Sequence, residues 1–239
     1  MHPCSVALLT LALVKCHALT PKRVLVVGGS GRVGASTVRW IDKLAKAEQL
    51  PVELAIGGRR RASFDAAAKR LGAKGVDDIK FVQLDLDDAA SLERAVAGRS
   101  LVVHTAGPFQ QRTDPTLLKA CIDAGVPYCD VCDELELSRA AKKLTSHCDV
   151  PAVISCGIWP GASALLAARA AERLGKPLDD LEFSFFTSGT GGAGPTIVSA
   201  TFLLLCTPAA VYADGELVMK EPWTEKRTAA FGPGVGARD

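Results

Sequence analysis

Several absences narrow this chain before any motif is read. It has no excess of either charge: 28 Lys and Arg face 26 Asp and Glu, a net +2. The two signs are interspersed, leaving no basic stripe for nucleic acid and no polybasic segment for an anionic membrane surface. The apolar run from Ser5 to Val14 is too short to cross a bilayer, so no stable membrane span is expected. The eight cysteines are scattered rather than gathered into a disulfide framework, which fits reduced thiols in an intracellular compartment. Cys129-Asp-Val-Cys132 matches C-x-x-C, but no second pair completes a zinc site. On a strand those two side chains point to opposite faces, so neither metal nor redox chemistry is expected of them. The small molecule is the partner class that remains.

What is present is apolar mass: 48% hydrophobic residues over 239 positions is ample for a buried core. The N-terminal stretch is set apart from the fold. Ser5 to Val14, then Cys16-His-Ala18 and Leu19-Thr-Pro21, are similar to a signal-peptide core and cleavage site, although no basic residue precedes the run. A plastid or other organellar leader and a non-native leader from a misassigned start stay open beside that reading. Residues 1–21 are therefore treated as a leader, and a cytoplasmic or organellar location is expected.

The rest is organised around Arg23-Val-Leu-Val-Val-Gly-Gly-Ser-Gly-Arg-Val-Gly-Ala-Ser36. Val24 to Val27 is too short for a buried helix and rich in β-branched residues, so it reads as a central parallel strand. Gly29, Gly31 and Gly34 then supply G-x-G-x-x-G where strand becomes helix. The first glycine serves the tight turn, the second a close backbone approach to a pyrophosphate, and the third close helix packing. Free N–H groups at the helix start would hold the phosphates, with Ser30, Arg32 and Val33 lining the same turn. A tight turn without a ligand is the plainer alternative. Val33, Thr37, Trp40, Ile41 and Leu44 follow helical spacing and are expected to lie on the sheet.

Beyond the first helix, Val52 to Ile56 reads as a second strand ending in Gly57-Gly-Arg-Arg-Arg61. An acidic residue at that end would bind the ribose 2′-hydroxyl of NAD, whereas arginine accommodates a 2′-phosphate. Glu53 sits too early in the strand, and Gly58, Arg59 and Arg60 stand where the phosphate belongs. NADP(H) is expected, with a solvated basic cap before the Ala62–Leu71 helix as the alternative. Phe81 to Asp85 is the third strand, placing Asp85 and Leu86 beside the adenine, while Asp87 and Asp88 cap the helix from Ala89 to Ala97. Leu101 to Phe109 is the fourth strand and its exit, where Thr105, Ala106, Gly107, Pro108 and Phe109 border the nicotinamide ribose. His104 is still inside the strand and reads as a packed core histidine.

Thr113 to Ala124 is a helix, Val126 to Asp133 strand five, Glu134 to Ser146 a helix and Pro151 to Cys156 strand six; an alanine-rich helix runs to Leu174. Six alternating β and α units make an α/β fold, a doubly wound parallel sheet. From Leu178 the texture changes. Leu181 to Thr187 alternates like a half-buried antiparallel strand, and Ser188 to Pro195 is a glycine cluster without Gly-Lys-Ser/Thr, hence no Walker loop. Thr196 to Cys206 reads as a buried helix, and Pro208 to Asp239 is short of elements. The expected domains are 22–160, a dinucleotide-binding Rossmann domain, and 161–239, a linking helix with a partial second domain.

The glycine turn, Gly58-Arg59, Ala106-Gly-Pro-Phe109, Tyr128-Cys-Asp-Val-Cys-Asp133, Gly157-Ile-Trp-Pro-Gly161 and Gly189-Thr-Gly-Gly-Ala-Gly-Pro195 together resemble the saccharopine dehydrogenase-like oxidoreductases over residues 22 to 239. The resemblance implies an NADP-binding Rossmann domain, then an α+β substrate and dimerisation domain, hence a homodimer. It implies oxidation or reduction of a C–N bond in amino-acid metabolism. It departs from the saccharopine reductases at Trp159, where their Gly-x-Asp-Pro-Gly segment has an acidic residue that touches the substrate.

For imine reduction a proton donor must lie near the developing amine, and Tyr128, Asp130 and Asp133 are the candidates at strand five. Asp133 reads equally well as a helix cap, and Tyr128 as a packed side chain. An atypical short-chain reductase would need Tyr-x-x-x-Lys, yet Tyr128 and Tyr212 are followed four on by Cys132 and Glu216. A non-catalytic NADPH-binding sensor or scaffold is the reading from another class.

Overall fold

The computed structural model describes residues 20–71, 79–188, 194–224 and 226–238; residues 1–19 of the leader and most of the second glycine cluster lie outside them. Lys22–Val27 (β1), Val52–Gly58 (β2), Lys80–Gln83 (β3), Leu101–His104 (β4), Tyr128–Asp130 (β5) and Ala152–Val153 (β6) form one sheet in the order β3-β2-β1-β4-β5-β6. All its pairings are parallel. The helices between them are Arg32–Ala47 (α1), Arg61–Leu71 (α2), Ala89–Val96 (α3), Thr116–Asp123 (α4) and Leu135–Thr145 (α5). This is the doubly wound Rossmann arrangement, with strand order reversing beside β1.

The period-2 alternation of β1 divides its side chains between two cores. Leu25 and Val27 join Val102, Leu92, Leu117, Leu118 and Tyr128 on one face. Val24 and Val26 join Val38, Leu54, Ile56, Phe64 and Val103 on the other. Burial on both faces is why β1 is a continuous apolar run.

The face of α1 differs from the expected one. Its buried residues are Gly34, Ala35, Val38 and Ala45, with Ile41 packed against the same core. Val33, Trp40 and Leu44 are 50%, 53% and 56% exposed. Small residues win the sheet side because they let the helix axis approach the strands closely; the bulkier stripe faces outward. At α3 the expected cap is present: Asp88 accepts a hydrogen bond from the Ser91 N–H. At α5 the N-cap is Glu134, without a side-chain cap bond, so Asp133 lies outside the cap position and is not the helix cap.

Contacts divide the chain into two compact units, the second comprising 107–111 and 162 onward. Within the second unit lie Ala162–Leu174 (α6), Pro195–Leu205 (α7) and short strands Ala209–Ala213 (β7), Glu216–Lys220 (β8), Ala229–Ala230 (β9) and Ala237–Arg238 (β10). Three expectations are corrected here. Residues 181–187 form no strand, because alternation makes a ladder only where a partner strand meets it in register. The helix expected from Thr196 to Cys206 forms, but Phe202 and Leu204 on it are exposed. The tail is richer in structure than expected, since β7 and β8 pair as a hairpin with Ala213 opposite Glu216. Asp214 and Gly215 both have positive φ, +53° and +83°, the type I′ turn that Asp-Gly favours.

Candidate functional site

The carboxyl edge of the sheet begins at the glycine turn. The left-handed position is Gly28, at φ +80°, so Gly28 rather than Gly29 makes the sharp bend. A Cβ on Gly28 would lie 2.6 Å from the backbone N and Cα of Ala106. A Cβ on Gly29 would press on Ile56 Cγ1 at 2.8 Å. Gly34 is the most crowded of the set: a Cβ there would collide with the Gly28 carbonyl and sit 2.6 Å from Gly29 Cα and Thr105 Oγ1. That crowding is the close seating of α1 on the strands. Gly31 is the N-cap, with no side-chain cap bond and no acidic residue in the first turn of α1. The first-turn N–H groups of Arg32, Val33 and Gly34 have no intrahelical acceptor, and the helix dipole adds positive potential at the same point. Ser30 is half-buried within the turn, and Arg32 and Val33 are exposed at its rim. These features fit a bound pyrophosphate.

Thr105 braces the turn from β4: its N–H and its Oγ1 both donate to the Val27 carbonyl, at 2.8 and 2.9 Å. Gly58 has open space around its Cα, and Arg59 and Arg60 follow it, exposed. Arg59 shares an open cleft with Gln83, Asp85, Asp88, Ser91 and Arg94. Asp85 is braced by Ser91, whose Oγ accepts from Asp85 N at 2.9 Å and donates to Asp85 O at 3.0 Å. Leu86 turns the other way and packs against the core. Glu53 stands opposite Arg23 at the amino end of the sheet and pairs with Lys80 at 3.6 Å, far from where a ribose hydroxyl would lie.

On the other half of the edge the side chains are inside. His104 Nδ1 is 2.9 Å from Tyr128 Oη, which donates to Asp130 Oδ2 at 3.0 Å. Asp130 Oδ1 accepts from Cys132 N at 3.0 Å and Ser155 N at 2.7 Å. A narrow pocket of about 20 Å³, room for one water, borders these groups together with Arg112 and Ser138. Burial, with Arg112 second, lowers His104 to about 4. Burial and then Asp130 push the Tyr128 phenol far up. Of the three proton-donor candidates, then, Tyr128 and Asp130 lie in one buried network and Asp133 is exposed beside it. Cys129 packs against the face opposite the network, while Cys132, just past the end of β5, joins the network side; burial raises both thiols to about 11. Among the described residues no three metal-ligating side chains gather, and no helix is long and apolar enough to cross a membrane.

Ala106 lies against the glycine turn, whereas Gly107, Pro108 and Phe109 cluster with the second unit. Sequence reasoning missed Gly28, which the doubled glycine of Val-Gly-Gly-Ser could have flagged, and Ser155, for which no local signal exists.

Strand order, glycine turn and helix N-terminus define an NAD(P)-binding Rossmann domain. Residues 24–155 match the saccharopine dehydrogenase NADP-binding domain, and the chain belongs to that family. Among solved structures it is similar to apo saccharopine dehydrogenase (L-Glu forming) of Saccharomyces cerevisiae, at 22% identity and TM-score 0.47, over 64% of this chain and 31% of that one. It therefore spans about a third of that enzyme's length. Vestitone reductase from alfalfa is similar at 16% identity and TM-score 0.43, over 55% of each chain. The triphenylmethane reductase of Citrobacter sp. complexed with NADP(H) is similar at 20% identity and TM-score 0.41, over 55% of this chain and 48% of that one. A comparison with curated proteins gives no match.

Proposed function

We propose that the protein is an NADP(H)-dependent oxidoreductase that moves a hydride to or from a C–N bond, an imine or secondary amine, of a small substrate. The observation that supports the cofactor in this reading is the pairing of the crowded glycine turn and the N-terminus of α1 at Gly31–Gly34 with Arg59 and Arg60 just past β2. NADPH, when bound, supplies the hydride. The chain's own residues do the rest. First-turn N–H groups of α1 hold the pyrophosphate. Arg59 and Arg60 receive the 2′-phosphate, a task that guanidinium geometry suits. Asp85 borders the adenine. Thr105 and Ala106 position the nicotinamide ribose.

Among the proton-donor candidates, Asp133 is the one exposed past β5, and it takes that role. Tyr128 holds its proton too tightly to give it up, so it and Asp130 support the site from below. Saccharopine and amino-acid metabolism follow from the family resemblance alone, and a homodimer through the second unit belongs to the same proposal.

Fluorescence titration of the full chain with NADPH and NADH tests the cofactor reading: NADPH is expected to bind at least about tenfold tighter, about 1.4 kcal/mol. Equal affinity would remove the role given to the arginines. Steady-state NADPH oxidation with a panel of cyclic and acyclic imines tests the reaction. Tight binding with no turnover of any imine points instead to a sensor.

A further inference from the structure

The network beneath β4 and β5 imposes a proton count. Tyr128 has one hydroxyl hydrogen, and the carboxylate of Asp130, 3.0 Å away, can only accept it. The 2.9 Å contact between Tyr128 Oη and His104 Nδ1 then needs its hydrogen from the ring. His104 is neutral at ordinary pH because burial and then Arg112 disfavour the imidazolium, against a smaller opposing effect of the Ala106 backbone; the ring therefore has one hydrogen, and the Tyr128 contact places it on Nδ1. The same carboxylate has a second task at its other oxygen. Oδ1 accepts from the N–H of Cys132, just past β5, and from the N–H of Ser155, just past β6. Ser155 has φ +59°, a left-handed conformation that a serine adopts only when its surroundings impose it. Ser155 Oγ lies 3.3 Å from Ser138 Oγ, and Ser138 donates to Cys132 Sγ at 3.6 Å, closing the ring of contacts.

We propose that Asp130 is a positioning residue: one buried carboxylate pins the exits of β5 and β6 through Oδ1 and, through Tyr128 on Oδ2, fixes His104 as the Nδ1–H tautomer. Asp130 touches neither substrate nor cofactor in this role. It keeps the loops at the carboxyl edge of β4, β5 and β6 in one geometry, and calling that edge the nicotinamide side rests on the proposed function; the tautomer does not.

Asp130→Asn is the informative variant because it is isosteric and reverses the chain of donors. Its amide oxygen can take over the Cys132 and Ser155 N–H bonds, which leaves the NH₂ facing Tyr128 Oη. The hydroxyl must then donate to His104 Nδ1, and the ring hydrogen moves to Nε2. Long-range ¹H–¹⁵N NMR of the full chain labelled at histidine reads this directly, with His104 assigned by its loss in His104→Gln. The wild type is expected as Nδ1–H and Asp130→Asn as Nε2–H. An Nε2–H wild type, or a tautomer unchanged in Asp130→Asn, overturns the proposal, and a carboxylate that merely stabilised the fold would lower the melting temperature without switching it. If Asp130→Asn fails to fold, Tyr128→Phe carries the test. It keeps both Oδ1 bonds and is expected to fold and to release His104 from the Nδ1–H state; retention of that state overturns the proposal. NADPH affinity is read in parallel and is expected to be unchanged in Asp130→Asn, because both bonds that pin the strand exits are kept. Failure of the wild type to bind NADPH would count against the proposed function and leave the tautomer result standing.

Discussion

On the β1–β3 side, the carboxyl edge of the sheet is built from backbone and from missing side chains. Gly28, Gly29 and Gly34 leave no room for a Cβ, the donors are helix N–H groups, and the large side chains of Arg59 and Arg60 stand in solvent. On the β4–β6 side, the edge is built from buried side chains that hydrogen-bond one another, with Asp130 only 5% exposed. The difference teaches where each half is vulnerable. A backbone cradle is broken by adding atoms and is indifferent to pH. A buried polar network is broken by removing atoms or adding a proton, because each orphaned group pays its full desolvation cost.

The largest expected effect is on the buried side. His104 is held near 4 in the folded protein, against about 6.5 when unfolded. Between those values the unfolded chain binds more protons, so stability is complete above pH 6.5 and is lost as pH falls toward 4. The shift corresponds to about 3 kcal/mol. Urea denaturation of wild type and His104→Gln across pH 4 to 7 should show the difference between the two curves carrying this slope. Parallel curves would mean that the ring is not buried as described.

Adding one methyl group tests the other half. Alanine in place of a helical glycine ordinarily stabilises by about 1 kcal/mol. At Gly34 the new Cβ would meet the Gly28 carbonyl and Gly29 Cα, backbone atoms that cannot rotate away. Overpacking should win, and Gly34→Ala should lose about 2 kcal/mol net while weakening NADPH binding more than tenfold. A variant as stable as wild type would show the turn to be looser than the crowding implies.

What the sequence revealed follows the same division. The glycine turn, the alternation of β and α units and the arginines past β2 were legible because each is local: a residue type is tied to a bend, a period or a strand end. The buried network was not, because it is assembled by register. Tyr128 stands opposite Val102 and Asp130 opposite His104 only once β4 and β5 are paired, and Ser155 reaches Asp130 from just past β6. His104 as a core histidine and Tyr128 as a packed side chain were readable from position alone; their mutual hydrogen bonds were not. In the second unit the Asp214-Gly215 turn was a local signal available to inspection, whereas the alternation at 181–187 misled because strand pairing is never local.

A smaller effect should fall on selectivity alone. Arg59 and Arg60 are exposed, so removing both by alanine should leave the melting temperature within about 2 °C, a shift below about 0.5 kcal/mol. NADPH affinity should fall about tenfold, about 1.4 kcal/mol, with NADH affinity unchanged, because only the 2′-phosphate distinguishes the two. Loss of both cofactors together would assign the arginines to general electrostatic attraction rather than to phosphate recognition.

The smallest effect is expected where the apolar spacing of α1 suggested a large one. Helical periodicity puts Trp40 in line with Val33 and Leu44, and a tryptophan buried on a sheet would cost about 3–5 kcal/mol to truncate. The stripe instead faces outward, and Trp40 is 53% exposed, with Lys43 Nζ 4.4 Å from its ring centroid. An exposed cation–π contact contributes about 0.5 kcal/mol, so Trp40→Ser should cost no more than about 1 kcal/mol in urea denaturation. Val38→Ala, on the small-residue face that meets β1 and β2, should cost clearly more. If the order of the two variants were reversed, α1 would be rotated about its axis, and Gly34 would no longer be the residue that seats it on the glycine turn.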